Sequence, residues 1–397
     1  GSFHVVYIAS SEAGQKVCLK IPAYGQEGKW LPEDAVLLRS EALSMRFIKE
    51  NTQVPLPTMF AYDATMDNEI GAPFILMSFI DGRPANELSA EWILSASPGD
   101  RVHKERVLNE SLVRSMAGLS QLRFGKIGML DFPEEHRDPV VTTYCSYCTT
   151  EDDDGTYRQT WTSCGPFKSS KEYFLHRFNA LKALKWQGES RTADLAGVYK
   201  LLEVCAACVP ASGTPDHEAF GLAHSDLNLQ NVLCDDDGNV VGIIYWEKVH
   251  TAPVYLGWAS LPLWLREDWE LDYNWPYRDA ISSPVQLETS RTHYATALRE
   301  QMGKPDDWLV PEKSLFLTAL DEAMKDVTNA RVRCPPLMTR MLPMILPTVL
   351  PMRFLFDLAE DEEEDDGGWI KDVDLDLQDY VTNAITQLFR CVPEQAG

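Results

Sequence analysis

The stretch Gly221-Leu-Ala-His-Ser-Asp-Leu-Asn-Leu-Gln-Asn-Val-Leu-Cys234 decides the fold of this chain. It follows the pattern H-x-D-L-x-x-x-N at the start of a predicted short hairpin. With this spacing Asp226 can accept the proton of an attacking hydroxyl group, while Asn231, five residues on, can hold a metal bound to nucleotide phosphates. His224, two residues before the aspartate, is predicted to pack against the loop and orient it. Because an eight-residue pattern also arises by chance, the surrounding sequence has to support it.

Upstream of this loop, the sequence predicts the elements that would hold a phosphate-binding lysine. The β-formers in Phe3–Ala9 and Val17–Ile21 predict a hairpin, and apolar residues at helical spacing predict a helix over Pro32–Asn51. Lys20 lies at the end of the second strand and Glu41 in the first half of the helix. A buried lysine needs a partner, and Glu41 would supply one. In kinases, such a strand lysine and helix glutamate position the α- and β-phosphates of the nucleotide.

The predicted elements divide the chain into two unequal lobes. With 397 residues the chain is too long for one compact core. A continuous apolar strand over Phe74–Ile80 stops at the turn sequence Asp81-Gly-Arg-Pro84. We therefore predict an α+β fold with an N-lobe over residues 1–80, formed by an antiparallel sheet plus a helix, and a mainly helical C-lobe over residues 81–397. The C-lobe carries the catalytic loop and the helices expected to bind the substrate, and its polar stretch 131–165 is expected to be a surface excursion.

These residues together resemble a known family, the aminoglycoside phosphotransferase and choline kinase superfamily with its protein-kinase-like fold. The resemblance rests on Lys20, Glu41, the strand running to Asp81-Gly82, His224–Asn231 and Gly242-Ile-Ile-Tyr-Trp-Glu247. It covers nearly the whole chain and looks closest to the fungal members, in which the last motif usually reads G-I-I-D-W-E. It implies ATP in the cleft between the lobes, with Asp226 as catalytic base and Asn231 as a magnesium ligand. It also implies that backbone groups of the hinge hold adenine, at Met77, Phe79 and Ile80.

One position departs from the family pattern. Where the family places its metal-binding aspartate, this sequence has Tyr245, which follows Asn231 by fourteen residues, the expected gap. A tyrosine phenol is neutral at pH 7 and is a poor ligand for magnesium, which favours carboxylates, water and phosphate. A catalytic metal is worth several kcal/mol of transition-state stabilisation, so losing its carboxylate is expected to slow phosphoryl transfer on the order of a thousandfold. The sequence therefore predicts an impaired metal site, which weakens the expectation of both ATP and magnesium.

Three interpretations of Tyr245 remain open from the sequence. In the first, Glu247 takes over the metal, because in an extended segment it shares a face with Tyr245 two residues before it. The chain is then a small-molecule phosphotransferase that moves a phosphoryl group from ATP to a metabolite hydroxyl. In the second, the cleft is repurposed for an ATP-independent biosynthetic reaction, for example in secondary metabolism, with Asp226 as acid or base and the Tyr245 phenol as donor. In the third, the protein is a pseudokinase that only binds a ligand.

Composition and charge limit the partners and the compartment. The formal net charge of −24 repels phosphate backbones and anionic lipid, so a small-molecule substrate is favoured over nucleic acid or a membrane surface. No apolar run reaches about 18 residues, and the longest candidate, Met338–Phe356, contains two arginines and three prolines. The acidic run Glu360–Asp366 is expected to be a solvated loop. Nine cysteines without disulfide spacing favour a reducing, cytoplasmic location.

Aromatic residues crowd the segment Tyr255–Tyr277. The family resemblance places this segment beside the substrate cleft, where an aromatic wall would suit a flat or apolar small molecule. Simple packing of helices in the C-lobe is the alternative interpretation of the same residues.

Overall fold

The computed structural model describes residues 4–325, apart from short gaps, together with residues 330 and 333. The gaps are residues 11, 13, 136, 152–156, 184–192, 215–216, 271–272, 274, 277–281 and 304–309. The acidic run Glu360–Asp366 and the apolar stretch Met338–Phe356 lie outside the described residues. Among the residues described, no helix has both the length and the apolar character needed to cross a lipid bilayer.

The described chain combines helices with short strands. The helices are α1 (Pro32–Asn51), α2 (Ala85–Ser95), α3 (Pro98–Ala117), α4 (Ser170–Ala183), α5 (Ala193–Ala207), α6 (Pro284–Met302) and α7 (Val310–Ala323). The strands are β1 (His4–Ser10), β2 (Lys16–Pro22), β3 (Met59–Asp63), β4 (Phe74–Ser78), β5 (Arg83–Pro84), β6 (Gly128–Asp131), β7 (Val140–Thr142), β8 (Tyr144–Glu151), β9 (Tyr157–Cys164), β10 (Gly213–Thr214), β11 (His217–Glu218), β12 (Phe220–Ala223), β13 (Val232–Cys234), β14 (Val240–Ile243) and β15 (His250–Pro253).

The N-lobe is a four-stranded antiparallel sheet, of strand order β1-β2-β4-β3, with one helix packed against it. Helix α1 begins at Pro32, which suits a first turn, and the Asp34 carboxylate accepts a hydrogen bond from the Leu31 N–H at 3.0 Å. Its apolar residues pack on β3 and β4. The predicted hairpin and helix are confirmed, but the strand predicted over Phe74–Ile80 ends at Ser78.

After Ser78 the chain leaves the N-lobe sheet and joins the hairpin formed by β13 and β14. This hairpin follows the predicted catalytic loop and is called the catalytic hairpin below. Strand β5 pairs with β13, with Pro84 opposite Leu233, and β13 pairs with β14 to complete a three-stranded sheet. A second C-lobe sheet has the order β12-β15-β6-β7. The stretch 131–165, predicted to be a polar excursion, contains β7 and the β8–β9 hairpin. The predicted lobe boundary after residue 80 falls in the connection between β4 and β5 and stays a prediction.

Two large hydrophobic clusters hold the described fold together. The first runs from α1 and β4 through α3 to Trp246, so residues of both lobes share one apolar core. The second joins α4, α5 and α7. Trp246 is fully buried, and its indole N–H donates to the Ile243 carbonyl at 2.8 Å. The segment after the catalytic hairpin is therefore anchored in the core that the two lobes share.

Trp258 shows that packing explains part of the aromatic segment. It is 2% exposed, and a Cβ added to Gly221 would lie 2.6 Å from its ring. Trp264 donates from its indole nitrogen to the Asn109 Oδ1 at 3.0 Å. Tyr277, at the end of the aromatic segment, lies outside the described residues.

Adding a methyl group at Gly221 should destabilise the strand that leads into the catalytic loop. Gly221→Ala is expected to lower the free energy of unfolding by about 1–3 kcal/mol, because the indole of Trp258 has to shift in a packed core. Denaturant unfolding of the variant and the wild type measures the difference. Gly99→Ala is the control, since nothing lies within 4 Å of a Cβ at this exposed helix position. Equal stability of Gly221→Ala and the wild type would contradict this packing.

Candidate functional site

The predicted catalytic loop leaves β12 and ends in a 3₁₀ turn over Leu229–Asn231. At its start, the Nδ1 of His224 accepts a hydrogen bond from the Asp226 N–H at 3.1 Å. Because Nδ1 is the acceptor, Nε2 carries the proton and donates to the Ile244 carbonyl at 2.9 Å. Desolvation lowers the pKa of His224 to about 4, so the ring is neutral at pH 7. The neutral ring therefore ties the loop to the residue that follows β14.

Asp226 is exposed, and its carboxylate is held from two sides. The Asp226 Oδ1 accepts from the Asn228 Nδ2 at 2.7 Å, and the Oδ2 accepts from the Asn231 Nδ2 at 2.9 Å. Asn231 is buried, and its amide also donates to the Asp226 carbonyl at 2.8 Å. The structure thus brings Asp226 and Asn231 together and leaves Asp226 accessible to a ligand. The catalytic role of Asp226 stays a prediction, as does that of His224.

Lys20 and Glu41 form a buried ion pair in the N-lobe. The Lys20 ammonium lies 2.6 and 2.9 Å from the two Glu41 carboxylate oxygens. The residues are 3% and 4% exposed, so each charge depends on the other. Removing one partner of such a pair typically costs about 3–5 kcal/mol. The predicted contact is confirmed and joins β2 to α1, whereas the binding of nucleotide phosphates by this pair stays a prediction.

Tyr245 links Lys20 to the end of the catalytic hairpin. Its ring centroid lies 5.4 Å from the Lys20 ammonium, within the range of a cation–π contact. Its φ is 62°, a left-handed conformation that costs a non-glycine residue about 1–3 kcal/mol. Lys248, with φ 56°, is the other such residue among those the structure describes. Strained backbone persists only where the surrounding structure fixes it, so this segment is a candidate functional element.

Glu247 faces the N-lobe, with its Oε2 3.5 Å from the His4 Nε2. Burial, and next the Lys20 charge, lower the pKa of His4 to about 3, so the imidazole is neutral at pH 7 and the contact is not an ion pair. Burial, and next the Glu41 carboxylate, raise the pKa of Glu247 above its usual range. Both residues line a recess beside Lys20 and Glu41 that has room for about one water molecule.

These residues do not fit a magnesium ion held as the family resemblance implies. Tyr245 presents an aromatic ring to the lysine, and the Glu247 carboxylate turns to His4, whereas Asn231 contacts Asp226. In the described part of the chain, no three carboxylate, imidazole or thiol side chains come together as in a metal site built from protein alone. Magnesium prefers octahedral oxygen ligands, and the position of the missing carboxylate holds a phenol. Asn231 and Glu247 as metal ligands stay predictions.

The hinge residues predicted to hold adenine lie in β4 and directly after it. Met77 belongs to β4, which is paired on both sides. The Phe79 N–H donates to the Lys16 carbonyl at 3.4 Å, a long hydrogen bond. Ile80 packs so closely on β14 that a Cβ added to Gly242 would lie 2.7 Å from its side chain. These contacts hold the hinge between β2 and the catalytic hairpin, and adenine binding by the three residues stays a prediction.

Two further polar residues of the site have no role assigned by a sequence motif. His4 carries no motif of its own, and its place beside Glu247 arises from the pairing of β1 with β2. Ser225 donates from its hydroxyl to the Glu247 carbonyl at 2.5 Å, which ties the loop to the segment after Tyr245. Ser225 lies inside the catalytic-loop pattern, which is the one signal that the sequence offers for it.

A sequence model described as "Phosphotransferase enzyme family" matches residues 2–273 of this chain. The chain belongs to the phosphotransferase enzyme family. The matched span contains Lys20, Glu41 and the whole segment from His224 to Glu247. Membership confirms the resemblance seen in the sequence, and the two-lobed α+β architecture agrees with it.

Relatives of this phosphotransferase-family chain occur in fungi. It is similar to "Altered inheritance of mitochondria protein 9, mitochondrial" of Eremothecium gossypii, 26% identical over 44% of this chain and 29% of that protein. It is also similar to "Clavilactone A biosynthesis cluster protein Y" of Ampulloclitocybe clavipes, 24% identical over 58% of this chain and 53% of that protein. The matches thus span between 29% and 53% of the lengths of these two relatives.

Among solved structures, the aminoglycoside phosphotransferase APH(4)-Ia aligns with 85% of this chain and 90% of its own. The TM-score is 0.44 and the sequence identity 12%. A likeness at that distance adds nothing to the family assignment.

The depressed pKa of His224 predicts that stability depends on pH. An unfolded histidine takes up a proton near pH 6.5, whereas folded His224 resists protonation until about pH 4. The unfolded state therefore binds more protons in this window, and the free energy of unfolding should fall as the pH drops from 6.5 to about 4. Denaturant titrations at several pH values in this window measure the slope.

The slope should be smaller in His224→Gln, which cannot take up a proton at this position. His103→Gln, at an exposed position of α3, is the control and should keep the slope of the wild type. The same slope in His224→Gln and the wild type would contradict the assignment of a neutral, proton-resisting ring to His224.

Proposed function

We propose that this protein transfers a phosphoryl group from ATP to a hydroxyl group of a small molecule, with a metal site impaired relative to its family. The Lys20–Glu41 ion pair carries this proposal, because kinases use such a pair to position nucleotide phosphates. The similarity to a relative named for the clavilactone A biosynthesis cluster supports a small-molecule substrate. The net charge of −24 supports the same choice over a nucleic-acid partner.

In this proposal Asp226 is the catalytic base. The oxygen of the substrate hydroxyl bonds to the γ-phosphorus as the bond to the bridging oxygen of the ADP leaving group breaks, and the hydroxyl proton passes to the Asp226 carboxylate. The exposure of Asp226 and its two amide hydrogen bonds support this role, since they hold the carboxylate and leave it accessible. The hinge residues Met77, Phe79 and Ile80 are the proposed contacts of adenine.

In this proposal, Tyr245 is the residue that impairs both the metal site and the binding of nucleotide phosphates at Lys20. Its ring centroid lies 5.4 Å from the Lys20 ammonium, and the lysine is only 3% exposed, so the ring is one of the groups that limit the access of a phosphate oxygen to Lys20. The phenol also supplies no carboxylate for a metal. We therefore expect weak nucleotide binding and slow phosphoryl transfer in the native protein.

Replacing Tyr245 should restore nucleotide binding. Tyr245→Asp is expected to strengthen magnesium-dependent ATP binding at least about tenfold, because it uncovers Lys20 and returns a carboxylate ligand. Calorimetric titration of ATP with and without magnesium measures the change. Tyr245→Phe is the matched control and should bind ATP as the wild type does, since its ring still covers Lys20. Equal ATP affinity of all three proteins in magnesium would show that Tyr245 does not limit nucleotide binding.

The position of the Tyr245 ring also favours a second function. If the Tyr245 ring stays over Lys20, the phosphate side of the cleft is closed while Asp226 remains exposed. The cleft would then serve an ATP-independent reaction on a small molecule, with Asp226 as acid or base and the Tyr245 phenol as donor. A pseudokinase that only binds a ligand would keep this geometry without turnover.

Replacing the Asp226 carboxylate distinguishes a phosphotransferase from an ATP-independent enzyme and from a pseudokinase. In a phosphotransferase, Asp226→Asn should lower turnover about a hundredfold or more and leave ATP affinity nearly intact, because it removes the base but no phosphate contact. Turnover is measured as product formed from a panel of hydroxylated metabolites, each with and without ATP. Product formed by the wild type without ATP would overturn the phosphotransferase proposal. In that event, loss of turnover in Tyr245→Phe would assign the donor role to the phenol.

We also propose a reducing compartment, with the cytoplasm as the first choice. The thiols of Cys18 and Cys234 are not in disulfides. Free thiols are typical of reducing compartments, which supports this location.

A further inference from the structure

The side chain of Asn228 contacts both chemically important parts of the catalytic loop. Its Nδ2 donates to the Asp226 Oδ1 at 2.7 Å. Its Oδ1 accepts from the Gln230 N–H at 3.0 Å and so caps the 3₁₀ turn over Leu229–Asn231. The pattern H-x-D-L-x-x-x-N leaves this position open, so the family motif assigns it no role.

These contacts close a ring of hydrogen bonds around the Asp226 carboxylate. The turn capped by Asn228 carries Asn231, whose amide donates to the Asp226 Oδ2 at 2.9 Å and to its carbonyl at 2.8 Å. Each carboxylate oxygen therefore accepts one amide N–H, which fixes the plane of the carboxylate. A carboxylate oxygen offers two lone pairs, so one on each oxygen remains for a substrate hydroxyl.

Asn231 alone would leave the carboxylate free to turn. The torsion that rotates an aspartate carboxylate is broad, and Asp226 is exposed rather than confined by packing. Both amide hydrogen bonds to the carboxylate are charge-assisted, a class roughly twice as strong as bonds between neutral groups, and the bond from Asn228 measures 2.7 Å. Asn228 therefore holds the oxygen that Asn231 does not reach.

We propose that Asn228 is a positioning residue, which sets the direction of the Asp226 carboxylate towards the substrate hydroxyl. The inference rests on the proposed function, in which Asp226 is the base. A misplacement of about 1 Å can cost a reaction about a hundredfold. Loss of the Asn228 donor should therefore lower kcat while ATP affinity stays nearly unchanged. The same side chain couples the base to the turn that carries Asn231.

Two substitutions of Asn228 distinguish its contact with the Asp226 carboxylate from its cap on the 3₁₀ turn. Asn228→Asp keeps an oxygen that caps the Gln230 N–H but cannot donate to Asp226, whereas Asn228→Ala loses both contacts. We expect both variants to lower the kcat of ATP hydrolysis, in which water replaces the hydroxyl substrate, by about tenfold to a hundredfold. The KM for ATP of Asn228→Ala should stay close to that of the wild type. In Asn228→Asp the new carboxylate repels that of Asp226, so a loss of kcat counts as positioning only where Asn228→Ala shows it too. Asn86→Asp, the same change at an exposed position of α2, is the control for an added charge.

Wild-type kcat in Asn228→Asp would overturn the inference, because the cap would then account for this residue. Absence of ATP turnover in the wild type would instead count against the proposed phosphotransferase function. In that case, NMR of selectively labelled asparagine amides still tests Asn228. Its side-chain signal, identified by its loss in Asn228→Asp, should move in Asp226→Ala, which removes the carboxylate that accepts its hydrogen bond. A signal that does not respond to Asp226 would overturn the inference.

Discussion

The ammonium group of Lys20 is buried between a strand and a helix, and a charge in that place needs a partner. Glu41 supplies it at 2.6 Å, which fixes the distance between β2 and α1. Helix α1 in turn packs on β3 and β4 and also contacts β6 of the C-lobe. The helix cannot shift without separating the two charges, so this ion pair constrains both the N-lobe sheet and the contact of α1 with β6.

Tyr245 lies beside the Lys20 ammonium, where a kinase would bind nucleotide phosphates. A lysine that positions nucleotide phosphates has to meet them, and here an aromatic ring lies 5.4 Å from its ammonium. A cation–π contact of this kind contributes about 0.5–2 kcal/mol, while the left-handed backbone of Tyr245 costs about 1–3 kcal/mol. The two energies are similar in size, so the contact with Lys20 offsets this cost without a large net stabilisation. The anchor is Trp246, whose fully buried indole also donates to Ile243.

The sequence by itself determined the features that depend on local order. Proline at the start and apolar residues at helical spacing predict the helix over Pro32–Asn51, and the structure has the same bounds. The spacing of Asp226 and Asn231 places them on either side of one tight turn, so their contact follows from five residues of sequence. The Lys20–Glu41 pair could also be predicted, because a strand end and the next helix are neighbours in a small lobe and opposite charges pair on burial.

Only the tertiary structure decided where Tyr245 and Glu247 point. Their directions depend on backbone angles held by Trp246, the residue between them, which packs into a core built from residues distant in sequence. The prediction that Glu247 shares a face with Tyr245 assumed an extended segment, whereas β14 ends at Ile243 and Tyr245 is left-handed, so alternation does not apply there. Burial also lowers the pKa of His4 and raises that of Glu247, and burial is a property of the folded chain, because the groups that exclude water from these side chains come from both lobes.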